Sequence, residues 1–372
     1  MSEPRINSVL AVDFGSVNTR ALLLDRVDGV YRLVGSGAGR TTIGAHEQDI
    51  YVGLTSILKQ MSEATGRRFL DDAGGIIRPE QADRVGVDYV ATTVSAGNPL
   101  RAVLVGLYPQ VSIAASRRAI APFYIDVVAE AHLEDGLGLK GRLNRIIQSR
   151  PQLIIITGGA DGGARGAMQE MIALAREAVT LMPQGRKATV LYAGNSSLAT
   201  SVREMLSQQV EVLIAPNIWQ NGAIKLKPAQ AVLGRYFDGV MRRAKGFQRS
   251  ALISDSGFVP TARSQETMTA FFARSLNQGV LTIDVGSAQT MLSLGRKGAV
   301  QTTIGNDIGL GHSAASALER IGEEAVMRWL PFHPRKGEPA QYARKKGLRP
   351  ASEPLDMRER YIEYALLRAS IR

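Results

Sequence analysis

Residues Val280–Leu294 read VLTIDVGSAQTMLSL, and residues Val9–Leu23 read VLAVDFGSVNTRALL. Aligned without a gap, the two stretches agree at 7 of 15 positions, including a shared D-x-G-S-x-x-T. In each, an apolar strand ends in an aspartate, a Gly-Ser pair turns the chain, and a second apolar run follows. Glycine lets backbone N–H groups approach an anion closely, and Ser and Thr add hydroxyl donors. An aspartate at the strand end suits Mg²⁺, which keeps much of its water shell and is held by few carboxylates. A single pattern of this kind matches many loops by chance. Two copies in one chain, each between apolar runs, point to two similar halves gripping one nucleotide.

The bulk numbers fit that reading. The chain has 372 residues, 45% hydrophobic and 21% charged, which suits a globular protein of two to three domains. It has no cysteine, so disulfides, thiol nucleophiles and thiolate metal sites are excluded. The first residues, MSEPRINSVL, show no basic segment followed by an apolar core, and no apolar run has membrane length. A cytoplasmic protein without a membrane span is the expectation. The net charge of +11 is concentrated in residues 225–250 and 296–372. Neither segment interleaves aromatics in a nucleic-acid pattern, so solvated helix faces explain most of that charge.

Along the chain, strands are expected before and after the first Gly-Ser turn, with Asp28-Gly29 as a hairpin turn. The periodicity of 48–62 predicts a helix, and two strands are expected around Gly97-Asn98-Pro99. FYIDVVAEAHLED (123–135) gives mixed helix and strand signals. LIIITGG, ATVLYAGN and VEVLIAP then alternate with helical stretches, which predicts a parallel sheet with helical crossovers. Helices are further expected after Pro228, over 263–278 and over 357–370.

The paired motif resembles the actin, Hsp70 and sugar-kinase superfamily. That resemblance implies duplicated ribonuclease-H-like α/β domains around a nucleotide cleft. It makes Asp13, Gly15, Ser16, Asn18 and Thr19 a first phosphate loop, and Asp284, Gly286, Ser287, Gln289 and Thr290 a second. ATP and Mg²⁺ are the implied cofactors, with Asp13 and Asp284 holding the metal through water. Further segments, namely 92–109, 153–168, VLYAGNSS (190–197) and IGNDIGLGHSAAS followed by RWLPF, resemble MutL-type glutamate mutase accessory proteins. The implied function is an ATP-binding chaperone or reactivator of an adenosylcobalamin-dependent mutase, with a protein client as partner. A nucleotide-regulated, self-assembling filament protein and a non-binding scaffold are the alternatives. A small-molecule kinase ranks last, because no catalytic carboxylate is evident, and a weak ATPase activity stays open. The expected division is 1–278 for the first domain with inserted α/β strands, 279–332 for the second hairpin and its helix, and 333–372 for a basic tail. An adenosine-binding G-x-G-G turn is missing after the second loop, so the second domain is expected to be incomplete.

Outside the repeats, Gly158-Gly159-Ala160-Asp161-Gly162-Gly163 follows an apolar strand and opens a helix. Ligands gather at such strand ends in open α/β sheets. Gly158 and Gly159 are therefore candidate ligand contacts, with Asp161 a candidate for orienting an attacking water. Helix capping by Asp161 is the structural alternative. Asp307, on the loop after the second hairpin, is a further candidate. His46, His132, His312 and His333 show no metal-ligand spacing.

Overall fold

Strand β1 (Ser8–Phe14) buries every second side chain, with Leu10, Val12 and Phe14 almost inaccessible. That period of two is what a pleated strand over a core requires. It pairs antiparallel with β2 (Asn18–Val27), which turns at Asp28-Gly29 into β3 (Val30–Arg40). Asp28 and Gly29 both have positive φ, the conformation a two-residue hairpin turn demands. Helix α1 (Ile50–Thr65) starts where the Asp49 carboxylate accepts from the Tyr51 N–H and ends at left-handed Gly66. It lies close over β3: a Cβ at Gly37 would stand 2.7 Å from Ile57 Cγ2. Strand β4 (Tyr89–Val94) then runs parallel to β1.

The computed structural model describes residues 6–43, 48–220, 222–296 and 299–372. The chain divides into two compact units, the first Met1–Gly97 with Phe237–Arg372, the second Asn98–Tyr236. Gly97 and Asn98, expected between two neighbouring strands, are where the chain passes from one unit to the other.

The second unit holds β5 (Leu100–Val105), α2 (Ala114–Ile120), β6 (Ile125–Ala131), α3 (Leu139–Gln148), β7 (Leu153–Ile156) and α4 (Arg165–Leu181). It continues with β8 (Thr189–Tyr192), α5 (Ala199–Leu206), β9 (Val212–Ile214) and a small hairpin of β10 (Trp219–Gln220) and β11 (Ala223–Ile224). Five strands form one parallel sheet in the order β6-β5-β7-β8-β9. All four residues of β7 are buried, as in a strand covered on both faces. Val103, Ile154, Ile156 and Val190 share one core with Ile146 of α3, Met171 of α4 and Val202 of α5. The ambiguous stretch after Phe123 contributes β6, because its apolar residues pair with β5.

Helix α6 (Lys227–Arg243) contains the second crossing between units. The first unit resumes with α7 (Gln248–Ile253), β12 (Phe258–Pro260) and α8 (Thr261–Ser275). Strand β12 pairs parallel with β4, completing the order β12-β4-β1-β2-β3. An antiparallel meander flanked on the β1 side by two parallel strands is the ribonuclease-H-like arrangement that the superfamily resemblance implies. Phe258 of β12 meets Phe14 of β1 and Phe247 edge to face, at ring-centroid separations of 6.3 and 5.8 Å.

A second meander follows, of β13 (Val280–Val285), β14 (Thr290–Arg296) and β15 (Ala299–Gly305). Its register repeats the first: Val285 opposes Thr290 as Phe14 opposes Thr19. Helix α8 packs on all three of its strands. Then come α9 (Ala314–Ile321), α10 (Glu323–Met327), α11 (Glu338–Leu348) and α12 (Met357–Ser370), which share a core of Ala317, Val326, Ala343 and Leu366. Much of the basic charge here is answered internally. Arg358 pairs with Glu338 at 2.8 Å, Lys345 with Glu359 at 2.7 Å, and buried Lys346 with Glu363 at 3.0 Å.

Candidate functional site

The two D-x-G-S turns have the same internal bond. The Gly15 N–H donates to the Asn18 carbonyl at 3.0 Å, and the Gly286 N–H to the Gln289 carbonyl at 2.9 Å. Close approach requires a glycine at 15, where a Cβ would lie 2.6 Å from the Asn18 oxygen, and makes position 286 tight, where one would lie 3.1 Å from the Gln289 oxygen.

Most carbonyls of the two turns are occupied from within the protein. Phe14 O accepts from the Ser95 and Ala96 amides, Gly15 O from the Thr41 hydroxyl at 2.7 Å, and Val17 O from the Thr41 amide at 2.8 Å. In the second turn, Gly286 O accepts from Leu310 N, Ser287 O from Gly311 N, and Ala288 O from the Ser313 hydroxyl. Among the described residues, the amides of Ser16, Val17, Ser287 and Ala288 find no internal acceptor. Apart from Ser16 O, the acceptors of the turns are used up, while two amides in each stay open, which is the polarity of an anion-receiving backbone nest.

Thr19 and Thr290 play a different part. Both are buried, Thr19 bonding the Thr41 hydroxyl at 2.9 Å and Thr290 donating to Ile308 O at 2.9 Å. They anchor the strand that follows each turn to the loop after the third strand. Gln289 is also buried, while Asn18 is exposed and Ser16 half-buried. The Ser287 hydroxyl lies 3.0 Å from His312 Nδ1 and accepts the His312 amide at 3.1 Å. Burial holds the His312 pKa below its usual value, so this imidazole is neutral at neutral pH.

The aspartates at the two strand ends are electrostatically joined. Asp13 Oδ1 accepts from the Thr93 hydroxyl of β4 at 2.5 Å and from the Thr261 hydroxyl of α8 at 2.9 Å. The Asp284 carboxyl is pushed up from its usual pKa, first by burial and then by the charge of Asp13, with Arg20 acting in opposition. Two carboxylates that repel each other on a donor-rich floor suit a divalent cation, which would relieve the repulsion. Among the described residues, no group of three or more His, Asp or Glu side chains offers a metal cage, so such an ion would keep most of its water. Thr93, Thr261 and Arg20 are absent from the motif because they reach it through sheet pairing and helix packing.

The remaining candidates have partners of their own. Asp307 is half-exposed and forms two hydrogen bonds, at 2.6 and 2.8 Å, with Arg320 Nη1 of α9. Gly158, Gly159 and Asp161 belong to the second unit, at the end of β7. There Asp161 Oδ1 accepts from the Ser196 amide and from Asn217 Nδ2, both at 2.8 Å. The Ser196 amide first, and then Asn217, hold this carboxyl below its usual pKa. His46 lies outside the described residues. Among those described, no helix is long and apolar enough to cross a membrane.

A family model described as MutL protein matches residues 9–372. No curated protein matches the chain. Among solved structures, the PPX-GPPA enzyme of Aquifex aeolicus is similar at 12% identity and a TM-score of 0.26, over 95% of this chain and 66% of that one. An exopolyphosphatase from Cytophaga hutchinsonii is similar at 10% identity and a TM-score of 0.26, over 90% and 58%. A diol dehydratase-reactivating factor in nucleotide-free form is similar at 10% identity and a TM-score of 0.17, over 57% and 31%. The chain spans less than two thirds of the length of each of these three proteins.

Proposed function

The chain belongs to the MutL protein family, and from that premise we propose that it is an ATP-binding accessory protein whose nucleotide state acts on a client enzyme. The observation that carries the reading is the pair of matched turns whose amides at Ser16, Val17, Ser287 and Ala288 stay open while most of their carbonyls are occupied. Such turns bind phosphate oxygens through backbone N–H groups, without needing a basic side chain.

In this reading the amides of Ser16 and Val17 receive one part of the triphosphate, and those of Ser287 and Ala288 another. Asp13 and Asp284 would hold Mg²⁺ through water, and that ion supplies charge neutralisation at the phosphates when bound. Thr93 and Thr261 fix the Asp13 carboxylate, so its free oxygen is already oriented before ligand arrives. The hydroxyl of Ser287, which accepts the His312 amide, adds a side-chain donor at the second turn when His312 carries its proton on Nδ1. Any hydrolysis would rest on electrostatic positioning by these groups.

The client implied by family resemblance is an adenosylcobalamin-dependent carbon-skeleton mutase. The test is to incubate such a mutase, inactivated by a damaged cobalamin, with this protein and Mg-ATP. Recovery of mutase activity that requires ATP and is lost with Asp13→Ala supports the reading. Recovery independent of nucleotide, or none at all, overturns the client assignment.

A further inference from the structure

We infer that the second unit carries a ligand site of its own, at the switch point of its parallel sheet, for a small neutral aromatic ring system. The strand order β6-β5-β7-β8-β9 places β5 beside β7. The chain leaves β5 through α2 toward β6 on one side, and leaves β7 through α4 toward β8 on the other. The two connections diverge and open a crevice beyond the carboxyl ends of β5 and β7. Open α/β sheets bind ligands at such a crevice.

A cavity of 230 Å³ occupies that place. Its walls come from the β5 end (Leu107, Tyr108, Val111), the β7 end (Gly158, Gly159) and Trp219, all in the second unit. An apolar cavity of about 150 Å³ takes a single benzene ring, so this one has room for two fused rings.

The chemistry of the walls selects the occupant. The side chains of Ser112, Thr157 and Asn217 at the pocket are spent on the protein itself. Ser112 Oγ accepts from the Leu107 and Tyr108 amides at 2.8 and 2.9 Å and donates to Tyr108 O at 2.9 Å. Thr157 Oγ1 donates to Ser112 O at 3.0 Å and meets Ser116 Oγ at 2.7 Å. Buried Asn217 donates to Gly159 O at 2.9 Å and to Asp161, and accepts from the Trp219 amide at 3.0 Å. These bonds hold the pocket open in the shape described, with hydrocarbon and ring surfaces toward the ligand. Gly158, at φ +127°, is needed in the floor because a Cβ there would press within 3.2 Å of Leu107 Cγ. A charged ligand would find no charged side chain among the lining residues to answer it, whereas a flat ring gains contact with Tyr108, Trp219 and the glycine backbone.

Saturation-transfer NMR on the whole 372-residue chain, with indole as the probe and cyclohexanol as the non-aromatic comparator, tests this. Saturation should pass to indole and not to cyclohexanol. Val111→Trp fills the mouth from a half-exposed position and should abolish the transfer while leaving the melting temperature unchanged. Trp219→Ala should weaken indole about tenfold, and Asp13→Ala should leave it unaltered. No transfer to indole, equal transfer to cyclohexanol, or full transfer in a folded Val111→Trp variant would overturn the assignment.

Discussion

The carboxylate of Asp13 accepts a 2.9 Å hydrogen bond from the hydroxyl of Thr261, which lies 248 residues further along the chain. Thr261 is the first residue of α8, and the same helix reaches the second meander through Gln265, which donates to Thr282 O at 3.2 Å, and Thr269, bonded to the Thr282 hydroxyl at 2.6 Å. One helix therefore links the aspartate of the first turn to the strand leading to the aspartate of the second. Thr261→Val keeps the shape and removes the bond. A hydrogen bond to a charged group contributes about 1.5–3 kcal/mol, and partial exposure puts the loss at the lower end. Denaturant titration should show that loss, and calorimetry should show Mg-ATP affinity falling several-fold.

Asp284 sits where its own ionisation is unfavourable, through burial and the charge of Asp13. A carboxyl with a raised folded pKa binds its proton more tightly in the folded state. It favours folding at low pH, and that contribution is lost as pH rises through the folded value. Asp284→Asn removes the penalty, so this variant should melt higher than wild type at pH 7. The difference should shrink as pH falls from the raised folded value toward the usual aspartate value of 3.8, and be gone below it. The same variant should lose Mg-ATP binding, since a neutral amide no longer answers a divalent cation. A melting temperature at or below wild type at pH 7 would contradict this account of Asp284.

The two turn glycines differ in how much room they have. A methyl group at position 15 would meet the Asn18 carbonyl at 2.6 Å, and one at position 286 would meet the Gln289 carbonyl at 3.1 Å. Overpacking against rigid backbone costs about 1–3 kcal/mol. Gly15→Ala should fall in that range, and Gly286→Ala should cost less than half as much. Equal losses in paired melts would mean that the two turns relax in the same way.

Glu338 and Arg358 tie α11 to α12, and the Arg358 side chain, bonded to the Glu338 carboxylate, holds the pKa of Glu338 down to about 2. A depressed carboxyl pKa stabilises the fold above the usual glutamate value of 4.5, and the effect is lost as pH falls toward 2. The melting temperature gap between wild type and Glu338→Gln should therefore be widest above pH 5 and close near pH 2. Solvent screening of the pair keeps the gap small.

The repeat, the two turns and the alternating strands and helices after Gly97 were legible because each depends on residues close together in sequence. Asp13 and Gly15 declare a strand end and a tight turn by type alone. Thr93 and Thr261 carry no such signal. They become partners of Asp13 only after β4 pairs in register beside β1 and β12 delivers the start of α8. Thr19 and Thr290 looked like ligand donors because their hydroxyls follow the turn, but register with the third strand turns them inward. FYIDVVAEAHLED stayed ambiguous because its strand residues are defined by pairing with β5, and not by local propensity. The crevice of the second unit depends on strand order, which the sequence of strands along the chain does not specify.

The central claim is that two matched turns form one nucleotide clamp. Calorimetric titration of the chain with Mg-ATP, beside Asp13→Ala, tests it most directly. The account predicts one-to-one binding that needs Mg²⁺ and is weakened at least 100-fold in Asp13→Ala, a change of about 2.7 kcal/mol. Binding of equal strength in the variant, or no binding in the wild-type chain, would contradict the clamp.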